Sequence, residues 1–351
     1  MKAIVYKGVH DMGTETTKDP ELKNGEALLR VKAAAICGTD LRIYEHGHHQ
    51  IPEGTNRILG HEISGVIELV SGDAAGLKPG MTVAVAPNIH CGTCVHCIKG
   101  DTQLCEDHSA FGIGIDGGFA EYMVLPAKAI RQGNIVPMKR ETDFAQAALN
   151  EPLSCCYNSL EYTQFSLGET ILIIGAGPIG IMHTLLANRM GAAKVIVSEI
   201  SDDRLAEIKK FGADVTVNPK RANLKAAVMA ETDDRGVDVA IVACPVAAVH
   251  NETLECLAPL GRMNFFGGLP KDAPMTTINA NIVHYNYIKV VGTSRQSIRQ
   301  YLKTLSLIEA GKIDLGPLVT GSYALDDAIE AFGAARRAEG LKHIFAVPES
   351  A

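Results

Sequence analysis

Beyond about residue 165, short apolar runs alternate with amphipathic stretches in which apolar residues recur at helical spacing. Apolar runs bounded by turns predict buried strands, and the 3.6-residue period predicts helices between them. Gly191 and Gly212 follow two of these helices, at a position where glycine commonly ends a helix. The alternation predicts βαβ units and a parallel sheet. The predicted strands cover residues 170–174, 194–198, 215–218, 237–243 and 262–266, and the predicted helices cover residues 178–190, 204–211 and 247–257.

The first 150 residues follow a different pattern. Short β-like runs, at residues 26–31, 63–70 and 81–86, are separated by turns rich in glycine and proline, and few stretches have helical periodicity. Near the other end, two helical stretches (297–310 and 325–338) precede a last predicted strand at residues 343–347. A chain of 351 residues is long enough for two domains. The pattern therefore predicts one mostly-β region and one α/β region.

Composition narrows the possible functions. The formal net charge is −7 and no long basic run is present, which argues against a nucleic-acid partner. No stretch approaches the roughly 20 apolar residues of a membrane-spanning helix. The first residues read as a strand and lack the layout of a signal peptide. These features predict a cytoplasmic protein.

Four of the nine cysteines stand within 15 residues, at Cys91, Cys94, Cys97 and Cys105. In a reducing compartment, cysteines this closely spaced more often bind metal than form disulfides. Four thiolates complete the tetrahedron of a structural zinc site, although iron–sulfur clusters also use closely spaced cysteines. The segment is polar and has little apolar core of its own. We predict a structural zinc lobe at about residues 88–108.

A second metal site is predicted from residues that are scattered along the chain. Cys37, His61, Glu62 and Glu151 offer one thiolate, one imidazole and two carboxylates. Taken singly they are weak signals, since a lone cysteine or histidine is usually structural and a Glu-Pro pair is usually found in a loop. Together they match a catalytic zinc site, which uses three protein ligands and leaves a position open for an alcohol or carbonyl oxygen.

A hydroxyl is needed near such a site to carry the proton of the alcohol. Thr39 stands two residues after Cys37 and is the candidate for this role. From Thr39, a proton relay could continue through Tyr44, His46 or the ribose of the cofactor.

A dinucleotide-binding motif follows the apolar run at residues 171–174. Gly175, Gly177 and Gly180 form a GxGxxG motif in which Pro178 and Ile179 open the predicted helix. The three glycines allow a tight turn, close approach of a pyrophosphate and close packing of helix on strand. Glu199 ends the next strand and can accept hydrogen bonds from the adenosine ribose, so the sequence favours NAD over NADP. Arg204 could assist a phosphate, but an arginine in the first turn of a helix is more commonly stacked or solvated.

Taken together, these motifs resemble the zinc-containing medium-chain dehydrogenases/reductases over essentially the whole chain. The resemblance rests on residues 37–40, 60–62, 91–105, 117–122, 151–153 and 175–180. It implies a GroES-like, mostly-β catalytic domain (residues 1–153 and 294–351) and an inserted doubly wound Rossmann domain that binds NAD (residues 154–293). It implies two zinc ions per chain, with Cys37, His61 and Glu151 as ligands of the catalytic one and Glu62 as an exchangeable or water-linked ligand. It also implies a homodimer or homotetramer.

Two residues refine the expected substrate. Simple alcohol dehydrogenases carry a second cysteine where this chain has Glu151, and the Glu-Pro-Leu-Ser version is similar to sorbitol (polyol) and threonine dehydrogenases. Many relatives carry a relay histidine where this chain has Arg42, which could instead meet an anionic group or pair with a surface carboxylate. We expect a polyol substrate and place Tyr44, His48, Glu62, Phe111 and Arg295 around it. The alternatives are an L-threonine dehydrogenase, a polyol-phosphate dehydrogenase, and a non-catalytic protein that binds zinc and NAD.

Overall fold

The computed structural model of the protein describes residues 1–347. The strands are β1 (Lys2–Gly8), β2 (Asp11–Thr16), β3 (Ala27–Ala35), β4 (Arg57–Ile58), β5 (Glu62–Val70), β6 (Thr82–Val85), β7 (Asn88–Ile89), β8 (Ser109–Ala110), β9 (Tyr122–Leu125), β10 (Ile135–Pro137), β11 (Thr170–Ile174), β12 (Lys194–Ser198), β13 (Val215–Val217), β14 (Val237–Val242), β15 (Leu257–Phe265), β16 (Lys289–Gly292), β17 (Val319–Tyr323) and β18 (Lys342–Ala346).

The helices are α1 (Gly38–His46), α2 (Val95–Lys99), α3 (Ala127–Arg131), α4 (Phe144–Ala148), α5 (Asn150–Tyr162), α6 (Pro178–Arg189), α7 (Asp202–Lys209), α8 (Leu224–Glu231), α9 (Ala248–Leu254), α10 (Ala280–Tyr285), α11 (Ile298–Glu309) and α12 (Ala328–Arg336). Short 3₁₀ helices cover Thr102–Leu104, Gly316–Leu318 and Leu325–Asp327. No helix among residues 1–347 is both long enough and apolar enough to cross a membrane.

The chain forms two compact units. The first consists of Met1–Ser154 with the described residues from Gln296 onwards, and the second is Cys155–Arg295. One boundary falls inside α5, so a single helix runs from one unit into the other.

The main sheet of the first unit brings distant parts of the chain together. Its strand order is β10-β6-β5-β3-β18-β17, and β9 also pairs with β3. β5 and β18 both run antiparallel to β3, and the register places Glu62 opposite Ala35 and Ile344 opposite the same residue. The beginnings of β5 and β18 therefore flank the end of β3. The core of this unit contains the edge-to-face rings of Phe119, Phe332 and Phe345.

The second unit contains the predicted parallel sheet. All pairings are parallel and the order is β13-β12-β11-β14-β15-β16, the doubly wound order of dinucleotide-binding folds. The central strands β11 and β14 are buried on both faces of the sheet, as their continuous apolar runs predict.

Some elements differ from the sequence-based expectation. The predicted helix at residues 247–257 ends at Leu254, and β15 begins at Leu257, well before the strand expected at 262. Helices α1, α5, α8 and α10 and strand β16 were not predicted from the hydrophobic pattern. Glu151 and Pro152 lie in the first turn of α5, not in a loop. Proline is tolerated there because the first amides of a helix have no intrahelical partner.

Candidate functional site

The first group of metal-compatible side chains lies where three strands of the first unit meet. Cys37 follows the end of β3 and caps α1, while His61 and Glu62 stand at the start of β5. One ligand atom from each of these three residues lies within 4.8 Å of the others. Gly60 has a φ of +90°, and a Cβ there would lie 2.5 Å from the ring of Phe119. Glycine thus allows the chain to turn into β5 with His61 and Glu62 beside Cys37.

Asp40 holds this group together and was not identified from the sequence. Its carboxylate is fully buried and accepts hydrogen bonds from the backbone amides of Cys37 (2.8 Å) and Gly60 (3.3 Å). Its Oδ1 also lies 3.4 Å from Nδ1 of His61. A carboxylate behind a metal-binding histidine orients the ring and increases its basicity. Asp40 is therefore placed to leave the other ring nitrogen of His61 for a metal.

Lys342 is the second supporting residue that sequence reasoning missed. Its Nζ, at the start of β18, lies 2.6 Å and 2.7 Å from the two carboxylate oxygens of Glu62 and donates to the carbonyl oxygen of Ile36 at 2.8 Å. Both Lys342 and Glu62 are buried. Buried charges of opposite sign at this distance compensate each other. An unpaired charge in the interior would instead be strongly destabilising.

Glu151 lies close to this group but outside the set whose ligand atoms come within 4.8 Å of one another. The first turn of α5, which contains it, is held by the side-chain amide of Asn150, which donates to the carbonyl oxygen of Tyr301 at 3.0 Å. The negative charge of Glu151 helps to raise the pKa of Glu62. The ligand role of Glu151 stays a prediction, and Glu62 occupies the position nearest to Cys37 and His61.

Burial and charge change the acid–base properties of these groups. Burial raises the pKa of Glu62 to about 7; the Lys342 ammonium opposes this effect, whereas Glu151 adds to it. Burial lowers the pKa of His61, but the charges of Asp40 and Cys37 outweigh it and hold the pKa well above its ordinary value. A buried site that accumulates negative charge around one imidazole has the electrostatic character of a cation site.

The structure places the three relay candidates differently. Thr39, half-buried in the first turn of α1, accepts a hydrogen bond from Nη2 of Arg42 at 3.0 Å. Tyr44 packs edge-on against Phe332, at a centroid distance of 6.0 Å. His46 is exposed in the last turn of α1. Of the three, Thr39 is nearest in sequence to Cys37, and the relay roles of Thr39, Tyr44 and His46 all stay predictions.

The residues expected around the substrate are also spread over different environments. Phe111 is fully buried in the core of the first unit, which does not support its assignment as a substrate contact. The ring of His48 lies 4.3 Å from that of His49. Arg295, in the second unit, has a φ of +60°, and its carbonyl oxygen accepts a hydrogen bond from Asn158.

The four-cysteine group is assembled within one short segment. Cys91 follows β7, Cys94 caps α2, Cys97 lies in α2 and Cys105 follows a 3₁₀ turn. Their sulfur atoms all lie within 4.8 Å of one another, and no disulfide joins them.

Hydrogen bonds to sulfur favour a thiolate in this group. The backbone amides of Thr93 and Cys94 donate to Sγ of Cys91, which lowers the pKa of that thiol to about 5. Gly100 ends α2 in the left-handed conformation, which lets the chain return toward Cys105. Four converging sulfur atoms around a thiolate-stabilising turn fit a closed tetrahedral zinc site.

Replacing Cys94 with serine tests this structural role. We expect the variant to lose about one zinc ion per chain and roughly 3 kcal/mol of stability, or about 6–12 °C in Tm, because the polar segment has little apolar core without its metal. Zinc analysis and thermal unfolding followed by circular dichroism measure both effects. A soluble Cys94→Ser protein with wild-type Tm would contradict a structural role for the segment.

In the second unit, the glycine motif joins β11 to α6 as predicted. Gly175 has a φ of +108°, a conformation that favours glycine, and Gly177 caps α6 with Pro178 and Ile179 in its first turn. A Cβ on Gly180 would collide with the carbonyl oxygen of Gly175. The turn therefore leaves the first amides of α6 open to a phosphate group.

Glu199, expected to bind the adenosine ribose, and Arg204, considered as a phosphate contact, both lie at this turn. Glu199 accepts hydrogen bonds from the backbone amides of Ala176 (3.0 Å), Ile200 (2.8 Å) and Ser201 (3.1 Å). A Cβ on Gly177 would lie 3.9 Å from Nη1 of Arg204. The structure thus brings one carboxylate and one guanidinium to the glycine turn.

Comparisons with known proteins identify the family of this chain. Residues 23–135 match the alcohol dehydrogenase GroES-like domain, and residues 178–310 match the zinc-binding dehydrogenase domain. The chain is 33% identical to L-threonine 3-dehydrogenase of Pyrococcus horikoshii over 93% of this chain and 92% of that protein. It is 31% identical to sorbitol dehydrogenase of Bacillus subtilis over 94% and 92% of the two chains.

A solved structure shares the whole fold. An alcohol dehydrogenase from Thermus sp. ATN1 has a TM-score of 0.90 and 28% identity, over 99% of this chain and 100% of that one. The predicted fold class, a GroES-like domain with a Rossmann domain, is confirmed by the two domain matches. The chain belongs to the zinc-containing medium-chain dehydrogenase/reductase family, an enzyme family of zinc-dependent alcohol and polyol dehydrogenases.

Proposed function

We propose that this enzyme oxidises the secondary alcohol of a polyol and transfers the hydride to NAD. The observation that carries the proposal is the group formed by the half-buried Cys37 and the buried His61 and Glu62, with the Thr39 hydroxyl two residues from the thiol. A thiolate, an imidazole and carboxylates form the donor set of a catalytic zinc site. The presence of Glu151 in place of a second thiol supports a polyol over a simple alcohol.

The proposal assigns a role to each residue of the candidate metal site. Cys37, His61 and Glu151 would hold a zinc ion, and Glu62 would be an exchangeable or water-linked ligand of the same ion. When bound, zinc supplies the Lewis acidity that makes an alcohol acidic near neutral pH. Asp40 orients His61, and Lys342 balances the charge of Glu62.

In this proposal Thr39 accepts the proton of the substrate alcohol and passes a proton on to water. Its hydroxyl has one hydrogen to donate and two lone pairs, one of which already accepts from Arg42. The remaining lone pair can accept from the alcohol while the hydroxyl hydrogen passes to water. The hydride goes to NAD, so the overall reaction yields a ketone, NADH and one proton.

The second unit supports NAD as the cofactor. Gly175, Gly177 and Gly180 leave room for the pyrophosphate at the start of α6. The Glu199 carboxylate can accept hydrogen bonds from the ribose hydroxyls and would repel a 2′-phosphate. The guanidinium of Arg204 beside Gly177 supports a contact between this residue and a phosphate group of the cofactor.

Replacing Glu199 with alanine tests this cofactor assignment. We expect the ratio of kcat/KM for NAD to that for NADP to fall at least about tenfold, because both the ribose contact and the repulsion of a phosphate are lost, each worth about 1 kcal/mol or more. Steady-state kinetics with both cofactors measure the ratio. Glu207→Ala, on the same helix as Arg204 but outside the glycine turn, serves as the control. An unchanged ratio in Glu199→Ala would overturn the assignment.

L-Threonine is the second candidate substrate. The chain is similar to L-threonine 3-dehydrogenases over nearly its whole length. Threonine and polyols share one feature, a secondary alcohol with a heteroatom on the neighbouring carbon. A site with carboxylates beside the metal can hydrogen-bond either a vicinal hydroxyl or a vicinal ammonium group.

A substrate panel read by NADH absorbance separates these candidates. It contains sorbitol, xylitol, galactitol, a polyol phosphate, L-threonine, 2,3-butanediol and simple secondary alcohols. Turnover of polyols supports the first proposal, whereas activity with threonine but none with any polyol would reject it. Two bound zinc ions and bound NAD without turnover of any alcohol would support a non-catalytic role.

We also propose that the enzyme is a homodimer or homotetramer in a reducing compartment, the cytoplasm. β16 forms one edge of the sheet in the second unit, and exposed apolar side chains lie near it in sequence, including Tyr285 and Tyr287. Unpaired edge strands with exposed apolar neighbours are suited to pairing with a second copy. The close spacing of four of the nine cysteines, which suits metal binding better than disulfides, supports a reducing environment. Light scattering after gel filtration measures the assembly.

A further inference from the structure

Arg42 is an uncompensated positive charge beside the candidate metal centre. It lies on α1, five residues after Cys37, and its exposed side chain donates from Nη2 to Oγ1 of Thr39 at 3.0 Å. Within residues 1–347, no carboxylate lies within 4.0 Å of its guanidinium nitrogens. The sequence-based alternative, in which Arg42 pairs with a surface carboxylate, is therefore not what the structure shows.

The acidic residues of α1 are already engaged elsewhere. Asp40 accepts from the amides of Cys37 and Gly60 and is fully buried. Glu45 lies 2.6 Å from Nε of Arg336, and this arginine comes from α12. Both carboxylates of α1 thus interact with other groups, and neither compensates the charge of Arg42.

The chemistry of a guanidinium limits which groups can bind to Arg42. It stays protonated at every physiological pH and offers five N–H donors in a planar fork. One donor is used by Thr39, and the others remain for a partner. Carboxylate and phosphate oxygens match this fork best and form the strongest hydrogen bonds with it.

We propose that Arg42 binds an oxyanion carried by the substrate, a carboxylate or a phosphate ester on the same molecule as the reacting secondary alcohol. This inference rests on the proposed function and narrows its substrate class. The Thr39 hydroxyl contacts the reacting oxygen and Arg42 contacts the anion. With hydrogen bonds of about 3 Å at each step, the two substrate groups lie roughly 6–9 Å apart or closer. A hydroxy amino acid and a short phosphorylated polyol both meet this limit.

Matched substrate pairs test the proposal. One pair is sorbitol 6-phosphate and sorbitol, and the other is L-threonine and L-threoninamide, so that each pair differs only in the anionic group. For the wild-type enzyme we expect kcat/KM to favour the anionic member of at least one pair by about tenfold or more. Arg42→Gln should reduce that preference by about 10–100-fold, since a charge-assisted hydrogen bond is lost. Arg42→Lys should retain part of it as a point charge.

Two controls separate specificity from general damage. Arg140→Gln removes another exposed arginine of the first unit for which the described residues provide no ion pair, and it should leave the preference unchanged. Zinc content and Tm should match the wild type in every variant, because the Arg42 side chain is exposed. A preference within the sorbitol pair would identify the bound anion as a phosphate, and a preference within the threonine pair would identify it as a carboxylate.

Several results would overturn the proposal while leaving the proposed function intact. Neutral polyols could be turned over as well as their anionic partners, or Arg42→Gln could keep the wild-type preference. Arg42→Gln could also raise KM for NAD alone, which would assign the cation to the cofactor. If no alcohol is turned over, the proposed function fails. The shift in Tm on adding each compound then still tests whether the anionic members bind better and whether that difference needs Arg42.

Discussion

Cys37→Ser is expected to lower kcat for NAD reduction by about 10³-fold or more while the protein stays folded. The Lewis acidity of a catalytic zinc ion contributes several kcal/mol to the transition state, and each 1.36 kcal/mol changes the rate tenfold. A serine hydroxyl is a much poorer zinc ligand than a thiolate. The backbone amide of Cys37 still bonds to Asp40 in the variant, so the start of α1 keeps its anchor.

The measurement combines three quantities from one preparation: kcat with the best substrate, zinc per chain, and Tm. We expect about one zinc ion in place of two and a Tm close to that of the wild type. Cys256→Ser is the matched control, because its thiol donates to the carbonyl oxygen of Glu252 in the core of the second unit, whereas both cysteine sites belong to the first unit. A Cys37→Ser enzyme with more than a tenth of wild-type activity would contradict the assignment of Cys37 as a metal ligand.

Lys342→Met is expected to destabilise the protein by about 3–5 kcal/mol, the largest stability effect among these predictions. Removing one partner of a buried ion pair leaves the other charge uncompensated, which costs more than the pair itself gains. In this variant Glu62 would face Glu151 without the ammonium that lies 2.6 Å away in the wild type. The carbonyl oxygen of Ile36 would also lose its donor.

Urea unfolding of the metal-free protein isolates this effect from zinc binding. Lys312→Met, an exposed lysine after α11, is the control and should change stability by less than about 0.5 kcal/mol. In the double variant with Glu62→Leu, both charges are removed and stability should recover toward the wild type. If Lys342→Met is as stable as Lys312→Met, the ion pair does not contribute to the fold as the structure suggests.

The sequence predicted the second unit better than the first. β11 and β12 have the bounds that their apolar runs indicated, because a strand buried on both faces must be apolar throughout. α1 and α5 were missed, because metal ligands and their supporting residues interrupt any apolar stripe. Glu151 and Pro152 in particular are typical of a loop in sequence, whereas Asn150, the first residue of α5, fixes the start of the helix by donating to a backbone carbonyl of α11.

For the site, motif spacing identified the groups that offer ligand atoms but not those that support them. Cys37, His61 and Glu62 lie close together, whereas Glu151, expected as the third ligand, lies outside that set. Asp40 and Lys342 were not predicted, because nothing in their immediate sequence shows that they are buried. Lys342 in particular gains its role only through the sheet order, in which β18 lies next to β3.

This sheet order also has a consequence for the time course of folding. The ion pair between Glu62 and Lys342 spans 280 positions of the chain, and the whole second unit is inserted between its partners. Contacts of such high sequence separation form late, since closing a long loop costs entropy before any contact is gained. When Cys37 and the four-cysteine segment have both left the ribosome, β18 has not yet been synthesised. We therefore expect the four-cysteine segment, whose ligands lie close together in sequence, to acquire its metal early, and the centre at Cys37 to mature only after synthesis of β18 is complete.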